Sequence, residues 1–268
     1  MTNALRMMPT DAQLWVMAGK RAALNGDMAA ARGFFMRGCR FCTRDGTLWI
    51  EYARCEMEWL QKVDKRKKKG ADPLRSEKTD ADEDEILISD TDEEDEDDDG
   101  TGLMLPDPPK SQEKVIDNQT AQQLKSNPAM DGAIPIAIFD ISRKQPFFSP
   151  DLAEAFFVMM AEYREISVRS RIVQHVLDTM DTEYPYHPST SNCHIREPVI
   201  GLDPMTADFP RGLREVLARL KQNVDSTTDK VALAGKVAVW VDEYLALEGL
   251  DEGIRKVLEH VRTIVTVE

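Results

Sequence analysis

The sequence predicts an all-α protein: an α-solenoid of antiparallel helix pairs, interrupted by a long disordered acidic insertion. Three observations predict it. LWVMAGKRAAL at 14–24 and TLWIEYARCEMEWL at 47–60 repeat a Leu-Trp pair in register, with Ala18-Gly19 falling against Tyr52-Ala53. Trp15 and Trp49 stand 34 residues apart, a period of solenoids whose unit is two antiparallel helices. Apolar residues recur at three- and four-residue steps between turn signals, and no strand pattern persists beyond short apolar runs.

The elements follow in order. PTDAQLWVMAGKRAALNGD carries both ends of a first helix. Thr10 is the predicted cap with Gln13 as its box partner, and Asn25-Gly26 stops the helix because both tolerate a left-handed backbone. Leu14, Trp15, Ala18, Gly19 and Ala22 form one mostly small apolar stripe, so a second helix can approach closely, with Trp15 filling one end. Asp27 caps that second helix, which runs to about Cys42 with Ala31, Phe34, Phe35 and Gly38 inward. TRDGT is a turn, and Leu48, Trp49, Tyr52, Ala53 and Glu56 begin the cycle again. After Glu58 the helix turns basic at DKRKKKG. From Gly70 to about Lys110 the composition cannot bury enough surface to offset ordering, and the run is read as an insertion within the second unit.

Helix signals return at about Lys114. DGAIPIAIFDISRKQ, 131–145, has the sizes of the earlier second helix, with Pro135 tolerable only if the helix begins just before it. Ser149 caps DLAEAFFVMMAEYREI, where Phe157 takes the place of a Trp, and VRSRIVQHVLDTM supplies its partner. Four prolines in 183–204 predict a long connector. Helical stretches follow at about 207–223 and 229–248, and the chain ends with Trp240, Tyr244 and a turn into a last helix.

Net charge is −14, but the 14 acidic residues between Asp80 and Asp99 account for all of it. The remaining 34 acidic and 34 basic residues balance, so local patches decide what the folded part touches. No apolar stretch reaches the length of a bilayer crossing, and the start lacks the order of a secretory signal. MTNALRMMPTDAQLW enters a helical array abruptly, so the polypeptide or its close relatives are expected to begin earlier.

Cys39 and Cys42 have C-x-x-C spacing, but they lie in a predicted helix with no second such pair, and they read as small buried residues. No metal or cofactor is expected. His175, His187, His194 and His260 have no partner at catalytic spacing, and no G-x-S-x-G, phosphate loop or dinucleotide fingerprint is present, so no enzyme is predicted. Trp15 and Trp49 read as core. Glu56 interrupts an apolar stripe, where an unpaired carboxylate is costly, and it is expected to accept hydrogen bonds from Arg32 or Arg37. Lys65, Arg66, Lys67, Lys68 and Lys69 have several readings. They are a phosphate-contacting RNA patch, an import signal, a solvated helix end favoured by the dipole, or a patch masked by the acidic run. Ser89 and Thr91 each precede an acid by three residues, the pattern of acid-directed kinases; an unmodified solubilising tract is the alternative.

The helix motif resembles the half-a-tetratricopeptide (HAT) repeat: an aromatic residue, then Tyr or Ala with Ala, then Glu. LWIEYARCE matches at Trp49, Tyr52, Ala53 and Glu56; LWVMAGKRA matches at Trp15 and Ala18 and departs at Ala22. Ala31-Arg32 and Arg37 fit the second helix. The stretch from ALRMMPTDAQLW through RGCRFC to EMEWLQKV, the acidic insertion, AIPIAIFD and AEAFF are similar to the U3 small nucleolar RNA-associated protein 6 family. The likeness is dense over 4–63, looser over 131–182 and thin over 183–228. On it, 1–69 hold the first repeat and the start of the second, 70–113 the insertion, and 114–268 degenerate pairs with a Pro-rich connector at about 183–206.

The resemblance implies a nucleolar scaffold of the UTP-B subcomplex of the small-subunit processome, supporting U3-dependent pre-ribosomal RNA processing and small-subunit assembly. Its implied partners are β-propeller subunits, docked in the family through a segment ahead of the repeats, and the U3 particle with pre-ribosomal RNA. The rivals are a HAT scaffold of splicing or messenger 3′-end formation, and a direct RNA-binding protein using Lys65 to Lys69.

Overall fold

A computed structural model describes residues 2–70 and 131–267, and among these residues every regular element is a helix. The expected insertion, its Ser89 and Thr91, and the helix signal at Lys114 lie outside the described residues.

α1 (Thr2–Met7) leads into α2 (Ala12–Leu24) and α3 (Met28–Phe41). The cap of α2 is Asp11, whose carboxylate accepts from the Gln13 amide, so the expectation of Thr10 is corrected by one residue. A carboxylate two positions before an amide closes an Asx turn without a box partner. Asn25 ends α2, and Gly26 takes a φ of 87°. Asp27 caps α3 by accepting from the Ala30 amide at 2.8 Å.

The small stripe of α2 serves close approach. A Cβ added at Gly19 would lie 2.4 Å from the Phe35 ring, and one at Gly38 2.8 Å from Trp15. Trp15 in turn stacks on Phe41, centroids 5.7 Å apart, and donates its indole N–H to the Pro9 carbonyl at 2.8 Å.

α4 (Gly46–Gly70) is the longest helix among the described residues and packs on α2 and α3. α5 (Ala133–Ser142) packs on α4, so the two helices that flank the undescribed segment are direct neighbours. Its start puts Pro135 in the first turn, where the missing N–H costs no hydrogen bond. α6 (Pro150–Ala161) is capped by Ser149, which accepts from the Leu152 amide, and α7 (Arg169–Glu183) packs against it.

The expected connector at 183–206 is corrected: it contains a helix, α8 (Pro188–Arg196). Pro188 occupies the first turn, where proline starts helices rather than breaking them, and His187 caps it by accepting from the Ser189 amide. α9 (Asp208–Asn223), α10 (Lys230–Leu245) and α11 (Glu252–Val267) complete the chain.

The order of contacts is regular. α2, α4, α6, α8 and α10 pack each on the next, and each also packs on the helix that follows it: α3, α5, α7, α9 and α11. Two apolar clusters fill the interior. Trp15, Phe35, Trp49, Tyr52, Phe139, Phe156 and Phe157 belong to the first, and Phe209, Leu213, Val237, Trp240 and Leu258 to the second. α8 joins them, with Cys193 in one cluster and Ile195 in the other.

Candidate interaction surfaces

Trp15, Ala18, Arg32, Trp49, Tyr52, Ala53, Glu56 and Trp240 are all buried. They build the interior rather than a surface, and the alignment of α2, α3 and α4 brings the first seven into one region. Phe35 stacks on Tyr52 with centroids 5.1 Å apart and planes 3° from parallel.

Beside that stack lies a buried ion pair. Arg32 donates from Nε to Glu56 Oε1 at 2.7 Å and from Nη2 to Oε2 at 2.9 Å. This two-pronged geometry gives the carboxylate both of its partners. Of the two arginines considered for Glu56, Arg32 is the partner. Burial pushes the Glu56 carboxyl above its ordinary range, against the pull of Arg32. Burial also acts to lower the Arg32 guanidinium, but hydrogen bonding and attraction from Glu56 outweigh it and hold the value up. Arg32 further lies 5.5 Å above the Trp59 ring, an added cation–π contact. The pair thus ties α3 to α4 through an interior contact that only correct stacking can make.

The cysteines are chemically quiet. Cys39, Cys42, Cys55 and Cys193 are free and buried, and burial pushes the Cys42 thiol up to about 11 and the Cys55 thiol up to about 12. No group of three or more His, Cys, Asp or Glu side chains that could hold a metal occurs among the described residues. No helix among them is long and apolar enough to cross a membrane.

The basic run lies on the last turns of α4, where Lys65, Arg66 and Lys68 are exposed; the side chains of Lys67 and Lys69 lie outside the described residues. Part of its charge is engaged within the chain. Lys65 pairs with Glu165 at 2.9 Å, and Lys68 donates to the Glu165 carbonyl at 3.1 Å. Gln61 donates to the same carboxylate, and Asp64 accepts from the Ser167 amide at 2.7 Å. The end of α4 is therefore docked on the turn after α6. Lys65 holds the Glu165 carboxyl below its usual range. Arg66 keeps its charge toward solvent, with no ion pair among the described residues.

Two features escaped the sequence reading. Arg37 and Arg40 on α3, with Arg44 in the next turn, are half-exposed or exposed and make no ion pair among the described residues. Arg37 and Arg40, three residues apart in RGCRFCTR, are a readable signal for one basic helix face, which Arg44 follows in the turn. The other is a polar seam along α8. Ser189 donates to Asp151 at 2.7 Å and Asn192 to Glu154 at 2.5 Å, while the Trp240 indole donates to the Asn192 oxygen at 3.1 Å. Lys236 reaches the same Asp151 and Glu154 carboxylates at 2.8 and 2.6 Å. Hydrogen bonds from Lys236 and then Ser189 hold the Asp151 carboxyl below its usual range. α6, α8 and α10 are locked together by these bonds, which satisfy Ser189 and Asn192, two of the polar side chains that α8 buries.

No protein-family model matches this chain, and no curated protein matches it.

Proposed function

We propose that this chain is a non-catalytic scaffold subunit of the nucleolar small-subunit processome, built as a solenoid of HAT-type helix pairs. The observation that carries the reading is the Arg32–Glu56 pair set beside buried Trp15, Trp49, Tyr52 and Ala53. The residues that carry the resemblance are the same ones that hold successive helices together, so motif and packing agree. The row of contacts through α2, α4, α6, α8 and α10 supports a stack in which each unit buries the flank its neighbour exposes. Such a stack works by presenting extended surfaces to proteins. The partners in this reading are β-propeller subunits of UTP-B, with the U3 particle and pre-ribosomal RNA, in the nucleolus.

Co-purification tests it. The full chain, tagged in cells that produce it, is expected to recover U3 RNA and pre-ribosomal RNA above spliceosomal RNAs. Enrichment of spliceosomal RNA, or of RNAs of messenger 3′-end formation, would move the scaffold to one of those machines. A second reading, direct RNA binding, is favoured by Arg37, Arg40, Arg44 and Arg66, whose charges are not consumed within the described residues. It expects the purified chain to bind naked RNA with an affinity that falls steeply with salt.

A further inference from the structure

Three side chains of α4 converge on one residue of the turn after α6. Gln61, Lys65 and Lys68 stand at four- and three-residue steps, on one side of the helix. Gln61 Nε2 donates to Glu165 Oε2 at 3.2 Å, Lys65 Nζ meets the same oxygen at 2.9 Å, and Lys68 Nζ donates to the Glu165 carbonyl at 3.1 Å. Lys65 keeps the Glu165 carboxyl below its usual range, so it stays charged around neutral pH.

A different contact docks the helix end. Asp64 is buried and accepts from the Ser167 amide at 2.7 Å. The Lys65 and Glu165 side chains are 54% and 58% exposed, and ion pairs so exposed contribute little to stability. The larger effect of this pair is on the charge that α4 offers outward. Beside it Lys62 and Arg66, four residues apart, face solvent with no ion pair among the described residues.

We infer that α4 carries a phosphodiester-binding stripe at Lys62 and Arg66, and that Glu165 withholds Lys65 from it. The carboxylate oxygen sits on the ammonium group where a phosphate oxygen would bind. A nucleic-acid strand fits this surface better than an acidic protein segment does. Val63 and Asp64 are buried, so what 62–66 expose is cationic, with no apolar pocket of the kind that anchors protein partners. Phosphate contact needs charge alone. The inference rests on the direct RNA-binding reading and adds to it a site and a restraint on that site.

Fluorescence anisotropy of labelled oligouridine with the full chain, over a salt series, tests it. Arg66→Gln should weaken binding, whereas Lys65→Gln alone should change affinity by less than about 2-fold, because that charge is already engaged. Glu165→Gln should steepen the slope of log K against log salt by about 0.7, one added single-strand phosphate contact, which is about 5-fold in affinity at roughly 0.1 M salt. Adding Lys65→Gln to Glu165→Gln should cancel both gains. Glu162→Gln removes a carboxylate that pairs with Arg54 instead and should leave the slope unchanged. These side chains are exposed or half-exposed, so helical circular dichroism should match in all variants. Equal slopes in wild type and Glu165→Gln, or a gain that survives the loss of Lys65, overturn the inference and leave the RNA reading standing. An Arg66→Gln chain that binds like wild type does the same. No binding by any variant overturns both. Oligoglutamate that competes as strongly as unlabelled oligouridine at equal charge overturns the choice of a nucleic acid.

Discussion

Glu56→Gln is expected to destabilise the chain by about 3–5 kcal/mol, although it changes one atom. The substitution leaves the Arg32 guanidinium buried beside a neutral amide, and an uncompensated buried charge is costly on that scale. At roughly 2–4 °C per kcal/mol for a domain of this size, Tm should fall by about 10 °C. Urea unfolding followed by circular dichroism measures the change. The double variant Arg32→Met, Glu56→Leu separates two explanations. Burying an ion pair already costs desolvation, so apolar residues of similar volume should recover most of the loss. If the double variant is as unstable as the single one, the pair contributes through something other than the burial of its charges. An unchanged Tm in Glu56→Gln would remove the pair from any role in holding α3 to α4.

Trp15→Ala and Trp49→Ala should each cost about 3–5 kcal/mol, the range for emptying a large aromatic site in a packed core. Both rings are buried, and the helices around them are fixed by contacts at Gly19 and Gly38 that leave little room to collapse. The phenylalanine substitutions should differ. The Trp15 indole donates to the Pro9 carbonyl, whereas the Trp49 indole N–H is buried with no hydrogen-bond partner among the described residues. Trp15→Phe therefore gives up a hydrogen bond that Trp49→Phe does not, a difference of about 1 kcal/mol. Equal losses in the two phenylalanine variants would contradict the assignment of that bond. Trp49→Phe costing the more would reverse it.

The parts of the fold that were legible in the sequence are those fixed by local rules. The Leu-Trp period marked Trp15 and Trp49, and Asp27 and Ser149 announced their helices because a cap acts within three residues of itself. Glu56 was conspicuous as one carboxylate in an apolar stripe, a place where burial requires a cation beside it.

What the sequence hid depends on distant partners. Ser189, Thr190, Ser191 and Asn192 are buried, yet PSTSN reads as a loop until Asp151, Glu154 and Trp240 are seen beside it. Thr190 turns its hydroxyl to the Tyr184 carbonyl, which shows from structure alone how that polar residue is satisfied. The basic run raised the same difficulty: nothing near Lys65 in sequence indicates that Glu165 will neutralise it.

The central claim is that α2, α4, α6, α8 and α10 form one row whose members support each other. Hydrogen exchange of the full chain, resolved by peptide, tests it most directly. Among the described residues, α4, α6 and α8 each have a row neighbour on both sides, while α2 and α10 have one. The account predicts that amides of the three inner helices exchange slowest and those of the two outer ones sooner, since protection follows buried contacts. Slowest exchange in α2 and α10, or fast exchange in α8 while α6 and α10 stay protected, would contradict it.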